Sequence, residues 1–223
     1  MIKFCRREFT PPDFDPPVLF RYFEKEDHAR ALCLGYVWIS TLEACRRQEG
    51  AARDDPAEAT RNDFSGYAKG ASGDPGFEET AGQSGRADKL GITNTIVHEG
   101  MSHDRLYDAW LLCFTESRRP HRTQGIGRFG VRISLPRLFF RHVTNALRLD
   151  QDITSATFGR VRYVGRDDRE LEASLGPMAL VKPPDDYSSQ REARMIWRHR
   201  RFKHPLQPGI VRCAAVAQLC SRV

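Results

Sequence analysis

The sequence has no long hydrophobic run and no closely paired cysteines. No stretch approaches the roughly 18 apolar residues of a membrane-spanning helix, and Lys3, Arg6 and Arg7 make the N-terminus charged before an apolar signal region can form. The six cysteines include no Cys-x-x-Cys pair, and their scatter favours free thiols in a reducing compartment over a secreted disulfide framework. We therefore expect a cytoplasmic protein with no membrane partner.

Several common catalytic and metal-binding motifs are also missing. The sequence contains no Gly-x-Ser-x-Gly elbow, no phosphate loop and no kinase signature. Residues 125–130 spell Gly-x-Gly-x-x-Gly, but a strand pattern follows where a dinucleotide site needs a helix, so we predict a hairpin or bulge turn. His98 and His103 are one position too far apart for a zinc helix, and we expect no metal cofactor.

The composition is that of one globular domain. Of the 223 residues, 40% are hydrophobic and 29% are charged, which is enough for a sizeable core. We treat residues 1–223 as a single domain, with an extended proline-rich lead-in at 1–17 and a flexible, acidic, Gly-rich insertion at about 65–91. Strand-like and helix-like patterns predict an α+β fold, in which short helices flank a central, mainly antiparallel sheet.

Positive charge is concentrated near the C-terminus. Residues 160–223 contain 13 Lys+Arg and 7 Asp+Glu, which accounts for the net charge of +6. Arginine supplies 29 of the 35 basic residues, a bias typical of a GC-rich bacterial genome and also suited to phosphate recognition.

One functional hypothesis is therefore a non-catalytic nucleic-acid-binding module that uses a basic C-terminal patch. The patch consists of Arg191, Arg194, Arg198, Arg200, Arg201 and Lys203. The alternative is a strand that faces the core with Ala193, Met195 and Trp197 and turns its arginines to water.

Three short pieces carry a second hypothesis. They are Leu19-Phe20-Arg21-Tyr22, Ile39-Ser40-Thr41-Leu42 and Gln190-Arg191-Glu192. In this order they resemble the Arg, Ser-Thr-Ser and Gln/Glu-x-Glu motifs of the mono-ADP-ribosyltransferase family, with Ser-Thr-Leu in place of Ser-Thr-Ser. The stretch from Lys182 to Arg194 is also similar to one found in a bacterial domain family of about this size.

The resemblance implies an ADP-ribosyltransferase-like fold and a reaction with NAD, either transfer of ADP-ribose or NAD hydrolysis. Glu192 would stabilise the oxocarbenium character of the ribose, and Arg21 would hold the phosphates. Ser40 would orient Glu192 and the ribose. Gln190, on the same side of a strand as Glu192, would meet the acceptor. The other candidates for the NAD site are Tyr22, Tyr36, Trp38, Thr41 and Tyr187.

By analogy alone, an NAD-consuming toxin or phage-defence effector with a neutralising partner suits such a protein. The acceptor, a protein or a nucleic acid, is left open. The alternative is purely structural: Arg21 and Glu192 form a salt bridge or lie in solvent, and Ser40 and Thr41 merely cap a helix. The enzymatic hypothesis requires that Arg21, Ser40 and Glu192 line one cleft.

Overall fold

A mainly antiparallel sheet of nine strands forms the centre of the molecule. The computed structural model describes residues 7–9, 14–47, 60–65, 68–70, 95–97, 100–105, 107–118, 127–164, 167–168, 178–183, 188–200 and 206–223. Within these ranges the strands are β1 (Arg7–Phe9), β2 (Val18–Phe23), β3 (Tyr36–Thr41), β4 (Thr60–Ser65), β5 (Ala68–Gly70), β6 (Thr95–Val97), β7 (Gly100–Arg105), β8 (Trp110–Thr115), β9 (Phe129–Ser134), β10 (Ile153–Arg160), β11 (Arg162–Tyr163), β12 (Asp167–Asp168), β13 (Val181–Lys182), β14 (Glu192–His199), β15 (Gly209–Arg212) and β16 (Cys220–Arg222).

Helices are short and few in the described part of the chain. The α-helices are α1 (Glu26–Cys33), α2 (Leu42–Arg47) and α3 (Pro136–Asp150), and the 3₁₀ turns are Met178–Leu180, Ser188–Gln190 and Ala214–Leu219. None of these helices has the length and hydropathy needed to cross a membrane.

The order of the central sheet is β1-β10-β14-β8-β2-β9-β16, with β3 paired to β8 and β15 paired to β3. The pairing of β1 with β10 is parallel, and the other pairings of this sheet are antiparallel. Three small sheets, β12-β4-β7, β5-β6 and β11-β13, accompany it. The prediction of an α+β fold with a mainly antiparallel sheet is confirmed.

Local sequence signals set the elements around β2 and β3. Glu26 and Asp27 in the first turn of α1 stabilise the positive end of the helix dipole. The helix cannot continue through Gly35, two residues after its last residue Cys33, where the backbone has φ +84° and where a Cβ would lie 2.7 Å from the carbonyl oxygen of Cys213. Glycine is the residue that tolerates both conditions. The chain therefore reverses sharply and enters β3 beside β8.

The main core lies between the central sheet and α3. Phe139, Phe140, Val143 and Leu147 recur at helical spacing and are buried against the sheet. Trp197 is fully buried on β14, and its indole N–H donates to the Thr144 hydroxyl at 2.8 Å. One face of β14 is thus anchored to α3 by apolar contact and a buried hydrogen bond.

The lead-in at 1–17 is joined to the sheet within its described parts. Residues Arg7–Phe9 form β1, the edge strand beside β10. Phe14 is buried and meets the Phe158 ring edge-on, with the ring centroids 5.0 Å apart. In the proposed insertion, Ala68–Gly70 pairs with Thr95–Val97, whereas residues 71–91 lie outside the described part of the chain.

Candidate functional site

The central sheet divides at β8. On the side opposite β14, β8 pairs with β3 through Leu111 and Trp110, and with β2 through Thr115. Strands β2 and β3 therefore meet β8 near its opposite ends and separate between them. A cavity of about 340 Å³ lies at this division. Its volume is within the range of about 300–1,000 Å³ that is usual for small-molecule sites.

The cavity brings together residues that are distant in the sequence. Arg21, Ser40, Gln190 and Glu192 all line it. The full lining set is Phe20, Arg21, Tyr22, Phe23, Glu24, Lys25, His28, Trp38, Ser40, Cys45, Leu111, Cys113, Phe114, Thr115, Lys182, Gln190, Glu192 and Arg194. Of the predicted NAD-binding aromatic residues, Tyr22 and Trp38 are therefore in the wall.

Strand register explains part of this convergence. Residues directly opposite each other on neighbouring strands project to the same face of a sheet. Thr115 on β8 is opposite both Glu192 and Phe20, so these three side chains form one row. Cys113 is opposite Arg194 in the next row. Leu111 is opposite Ile196 and Ser40 in the row beyond.

Glu192 is the buried anion of the site. Its carboxylate accepts a hydrogen bond from Arg194 Nε to Oε1 at 2.8 Å and another from the second guanidinium nitrogen to Oε2 at 3.2 Å. Lys182 Nζ lies 3.0 Å from Oε2. The Glu192 backbone N–H donates to the Tyr163 hydroxyl oxygen at 2.7 Å. Two cations and a phenol, on the three strands β14, β13 and β11, thus fix this residue.

Burial and charge act in opposite directions on the pKa of Glu192. Burial alone raises it, but the charges of Arg194 and Lys182, with hydrogen bonds from Arg194 and the Cys113 thiol, lower the pKa to about 2. Glu192 is therefore ionised at neutral pH. The pKa of the Cys113 thiol is raised well above its ordinary value, first by burial and then by the Glu192 charge. Cys113 is therefore a neutral thiol beside a carboxylate.

Arg21 occupies an aromatic part of the wall. Its guanidinium carbon lies 5.2 Å from the Phe23 ring centroid and 6.0 Å from that of Phe114. The neighbouring Tyr22 hydroxyl donates to the Arg118 carbonyl at 2.7 Å, and burial raises the pKa of this phenol. Phe23 and Phe114 both belong to the main core, and Arg21 follows Phe20 on β2. These rings therefore hold the guanidinium on the side of the sheet opposite to the row of Glu192, Thr115 and Phe20.

The charge of the cavity favours an anionic ligand. Its arginines, lysines and carboxylates are Arg21, Lys25, Lys182, Arg194, Glu24 and Glu192. Cations outnumber carboxylates in this set. Since arginine binds phosphate through a planar pair of donors, this excess suits a phosphate-containing molecule.

Two of the predicted NAD-binding residues are placed elsewhere. Thr41 is buried, and its hydroxyl accepts from the Ala44 backbone N–H at 3.0 Å, which caps α2. Tyr36 is exposed and stacks with Arg212, whose guanidinium carbon is 5.9 Å from the ring centroid. Neither lines the cavity. Tyr187 lies outside the described residues.

The prediction that Gln190 and Glu192 lie on the same side of one strand is wrong. Gln190 belongs to the 3₁₀ turn Ser188–Gln190 and not to the strand, which begins at Glu192. Between them, Arg191 has φ +45°, a backbone conformation that is uncommon for residues other than glycine. This turn, and not the two-residue repeat of a strand, brings Gln190 to the cavity. The Thr115 hydroxyl supports it by donating to the Gln190 carbonyl at 2.6 Å.

The basic patch is not one surface. Arg194 is only 1% exposed and pairs with Glu192, so the expectation that it contacts phosphate or water is wrong. Arg191 lies 3.6 Å from a Glu116 carboxylate oxygen, and Arg200 lies 3.0 Å from one of Asp152. Arg198 is exposed, whereas Arg201 and Lys203 lie outside the described residues. Nucleic-acid binding stays a prediction, which a salt titration of binding decides.

The structure also bears on the Gly-x-Gly-x-x-Gly string and on the metal-binding residue types. Gly127, in the Gly-x-Gly-x-x-Gly string, has φ +131°, and a Cβ there would collide with the Phe23 backbone. The strand β9 follows it, as predicted, and no helix opens at this point. Among the described residues, no group of three or more His, Cys, Asp and Glu side chains is arranged to hold a metal ion.

Sequence reasoning missed the partners of Glu192. The sequence places Lys182 only in the stretch that is similar to a bacterial family, Arg194 in that stretch and in the basic patch, and Cys113 only among the six scattered thiols. Two charged residues spaced by two in a strand share a face, so the Glu192-Ala193-Arg194 triplet was a signal for an ion pair. Nothing in the sequence indicated that Lys182 or Cys113 would join them, because those contacts depend on strand pairing.

Comparisons with protein-family models, with curated proteins and with solved structures give no match. The site is therefore interpreted from its own geometry.

Proposed function

We propose that this chain binds NAD in the cavity at the division of the sheet and transfers ADP-ribose from it to a macromolecular acceptor. The observation that carries the proposal is the arrival of Arg21, Ser40 and Glu192 at one cavity from three separate parts of the chain. These are the residues that the resemblance to mono-ADP-ribosyltransferases nominated. The structural alternative, an Arg21–Glu192 salt bridge, receives no support, because the ion-pair partners described for Glu192 are Arg194 and Lys182.

The chemistry of the cavity suits cleavage of the nicotinamide–ribose bond. When that bond breaks, its electron pair leaves with nicotinamide and positive charge develops on the ribose. The Glu192 carboxylate, ionised at neutral pH because its pKa is about 2, stabilises that charge. An acceptor nucleophile then forms a bond to the anomeric carbon and loses its proton to solvent. Arg21 binds the pyrophosphate, and the exposed Trp38 ring in the cavity wall packs against nicotinamide.

A ribose hydroxyl can reach the Glu192 carboxylate by replacing the weakest of its hydrogen bonds. A carboxylate has about four acceptor positions, and Arg194, Lys182 and the Cys113 thiol already donate to it. The thiol is the weakest of these donors. A ribose hydroxyl that enters the cavity therefore replaces the Cys113 hydrogen bond and retains those of the two cations.

The decisive variant is Glu192→Asp, compared with the wild-type chain. Alanine is a poor choice, because it would leave Lys182 and Arg194 as buried unpaired charges at a cost of about 3–5 kcal/mol. Aspartate keeps the charge and withdraws the carboxylate by one methylene. We expect release of nicotinamide to fall about 100-fold, with NAD affinity by calorimetry changed less than about threefold.

Glu26→Asp is the matched control. Glu26 is on the surface of α1, pairs with Arg222 at 2.6 Å, and does not line the cavity. The same shortening at this position is expected to leave nicotinamide release unchanged. A wild-type chain that neither binds nor consumes NAD would end the proposal.

A further inference from the structure

Arg194 is a buried arginine whose three guanidinium nitrogens all donate to fixed partners. Two of its nitrogens donate to the two oxygens of Glu192, at 2.8 and 3.2 Å. Its remaining guanidinium nitrogen donates to the Ala179 carbonyl at 2.7 Å. That carbonyl belongs to the 3₁₀ turn Met178–Leu180, so the turn, the arginine and the carboxylate form one connected chain.

This arrangement is costly if its only role is stability. Removing a guanidinium and a carboxylate from water is expensive, and well-packed apolar residues often stabilise such a position at least as well. Ile196, the next residue on the same face of β14, shows that an aliphatic side chain is accommodated there. The ion pair therefore has a better explanation in the orientation of Glu192 than in the stability of the fold.

The two cations beside Glu192 differ in what they fix. Arginine presents a planar pair of donors, which sets the plane of a carboxylate as well as its position. Lys182 contacts a single oxygen, Oε2, at 3.0 Å and supplies charge without setting that plane. Orientation of the carboxylate depends on Arg194 more than on Lys182.

We propose that Arg194 is a positioning residue that fixes the plane of the Glu192 carboxylate toward the ribose. The inference rests on the proposed function for its activity readout. Arg194 acts through Glu192 and does not bind the substrate itself. The titratable and charged groups that face the carboxylate are Arg194 on β14, Lys182 on β13, Cys113 on β8 and Tyr163 on β11.

The test is Arg194→Lys, with Arg30→Lys as the matched control, because Arg30 is exposed on α1 and does not line the cavity. Lysine keeps the charge and loses the paired donors. We expect kcat for nicotinamide release to fall about 100-fold while KM for NAD changes less than about threefold. The acid limb of the rate also moves to higher pH, because the pKa of Glu192 rises when the paired hydrogen bonds are lost. The control is expected to change none of these quantities.

Each other outcome contradicts the inference. An unchanged kcat in Arg194→Lys means that Arg194 does not position the carboxylate. A large rise in KM with kcat preserved means that Arg194 binds the substrate directly. An unmoved acid limb means that the lost activity did not arise through Glu192.

A measurement without NAD separates this inference from the proposed function. In protein labelled with ¹³C-glutamate, the Glu192 carboxyl signal is identified by its absence in Glu192→Gln. We expect this carboxyl to titrate at higher pH in Arg194→Lys than in the wild-type chain. An inactive wild-type chain that still shows this difference would remove the proposed function alone, and equal titrations would remove the role of Arg194.

If Arg194→Lys does not fold, a measurement on the wild-type chain still tests whether Arg194 is held rigidly. The Arg194 Nε–H proton, identified by its shift in Glu192→Asp, is buried and donates to Oε1. We expect it to exchange slowly with water and to persist when NAD is added. Rapid exchange would show a loosely held guanidinium and would contradict a positioning role.

Discussion

The two faces of β14 are both buried, yet they are built from opposite chemistry. One face presents Ala193, Met195 and Trp197 to α3 and the main core. The other presents Glu192 and Arg194 to the cavity, and only Ile196 on that face is apolar. A single strand therefore separates a region held by packing from a region in which a buried ion pair lies beside a smaller apolar cluster, which contains Leu42, Ala109, Leu111, Ala179, Leu180 and Ile196. The fold depends chiefly on the first, and the proposed chemistry takes place on the second.

The difference lies in how each region responds to its surroundings. Apolar contact depends on shape and on exclusion of water, and it changes little with pH. An ion pair depends on the protonation state of its carboxylate, so its contribution disappears in acid. Substitutions on each face and changes of pH therefore test whether the two faces of β14 differ in this way.

The largest effect is expected on the packed face. Trp197→Ala leaves a cavity beneath α3 and removes the indole N–H that donates to the Thr144 hydroxyl at 2.8 Å, although this hydroxyl keeps its own hydrogen bond to the Phe140 carbonyl. We expect the free energy of unfolding, from urea denaturation, to fall by about 3–5 kcal/mol. Trp38→Ala is the matched control, because Trp38 is 50% exposed, and its loss is expected to cost less than about 1 kcal/mol. Similar losses for the two tryptophans would contradict the described core.

The charged face is expected to respond to pH. The pKa of Glu192 falls from 4.5 to about 2 on folding, so its stabilisation is present above pH 4.5 and is lost as the pH falls toward 2. At neutral pH the ionised form of Glu192 makes the fold about 3 kcal/mol more stable than its protonated form would. In urea denaturation, the difference in stability between wild type and Glu192→Gln is expected to shrink through this range.

The matched control for the pH experiment is Glu26→Gln, which removes an exposed carboxylate paired with Arg222. Its stability is expected to follow that of wild type at each pH, because an exposed pair contributes little. A constant difference between wild type and Glu192→Gln from neutral to acid pH would show that Glu192 is not held as an ion pair.

The sequence predicts features that depend on neighbouring residues. The β2 strand, the end of α1 before Gly35 and the Pro136 start of α3 follow from β-propensity, backbone conformation and the proline preference for a first helical turn. The burial of Arg194 was not predictable in this way. A strand that alternates Ala, Met and Trp with Arg resembles a half-exposed strand, and only pairing with β8 and the turn at Ala179 covers its second face. The cavity likewise depends on the separation of β2 from β3, which is a property of strand pairing.

The smallest effect distinguishes two adjacent hydroxyls at the end of β3. Thr41 caps α2 through the Ala44 N–H, whereas Ser40 lines the cavity and accepts from the Cys45 thiol at 3.7 Å. Thr41→Ala is expected to cost about 1 kcal/mol of stability and to leave NAD affinity unchanged. Ser40→Ala is expected to do the reverse, with a few-fold weaker NAD binding by calorimetry and stability within about 0.5 kcal/mol of wild type. Each variant is thus the control of the other. If both variants lost stability and neither changed NAD affinity, β3 would serve only to cap the helix, and the hydroxyl wall of the cavity would have no part in binding.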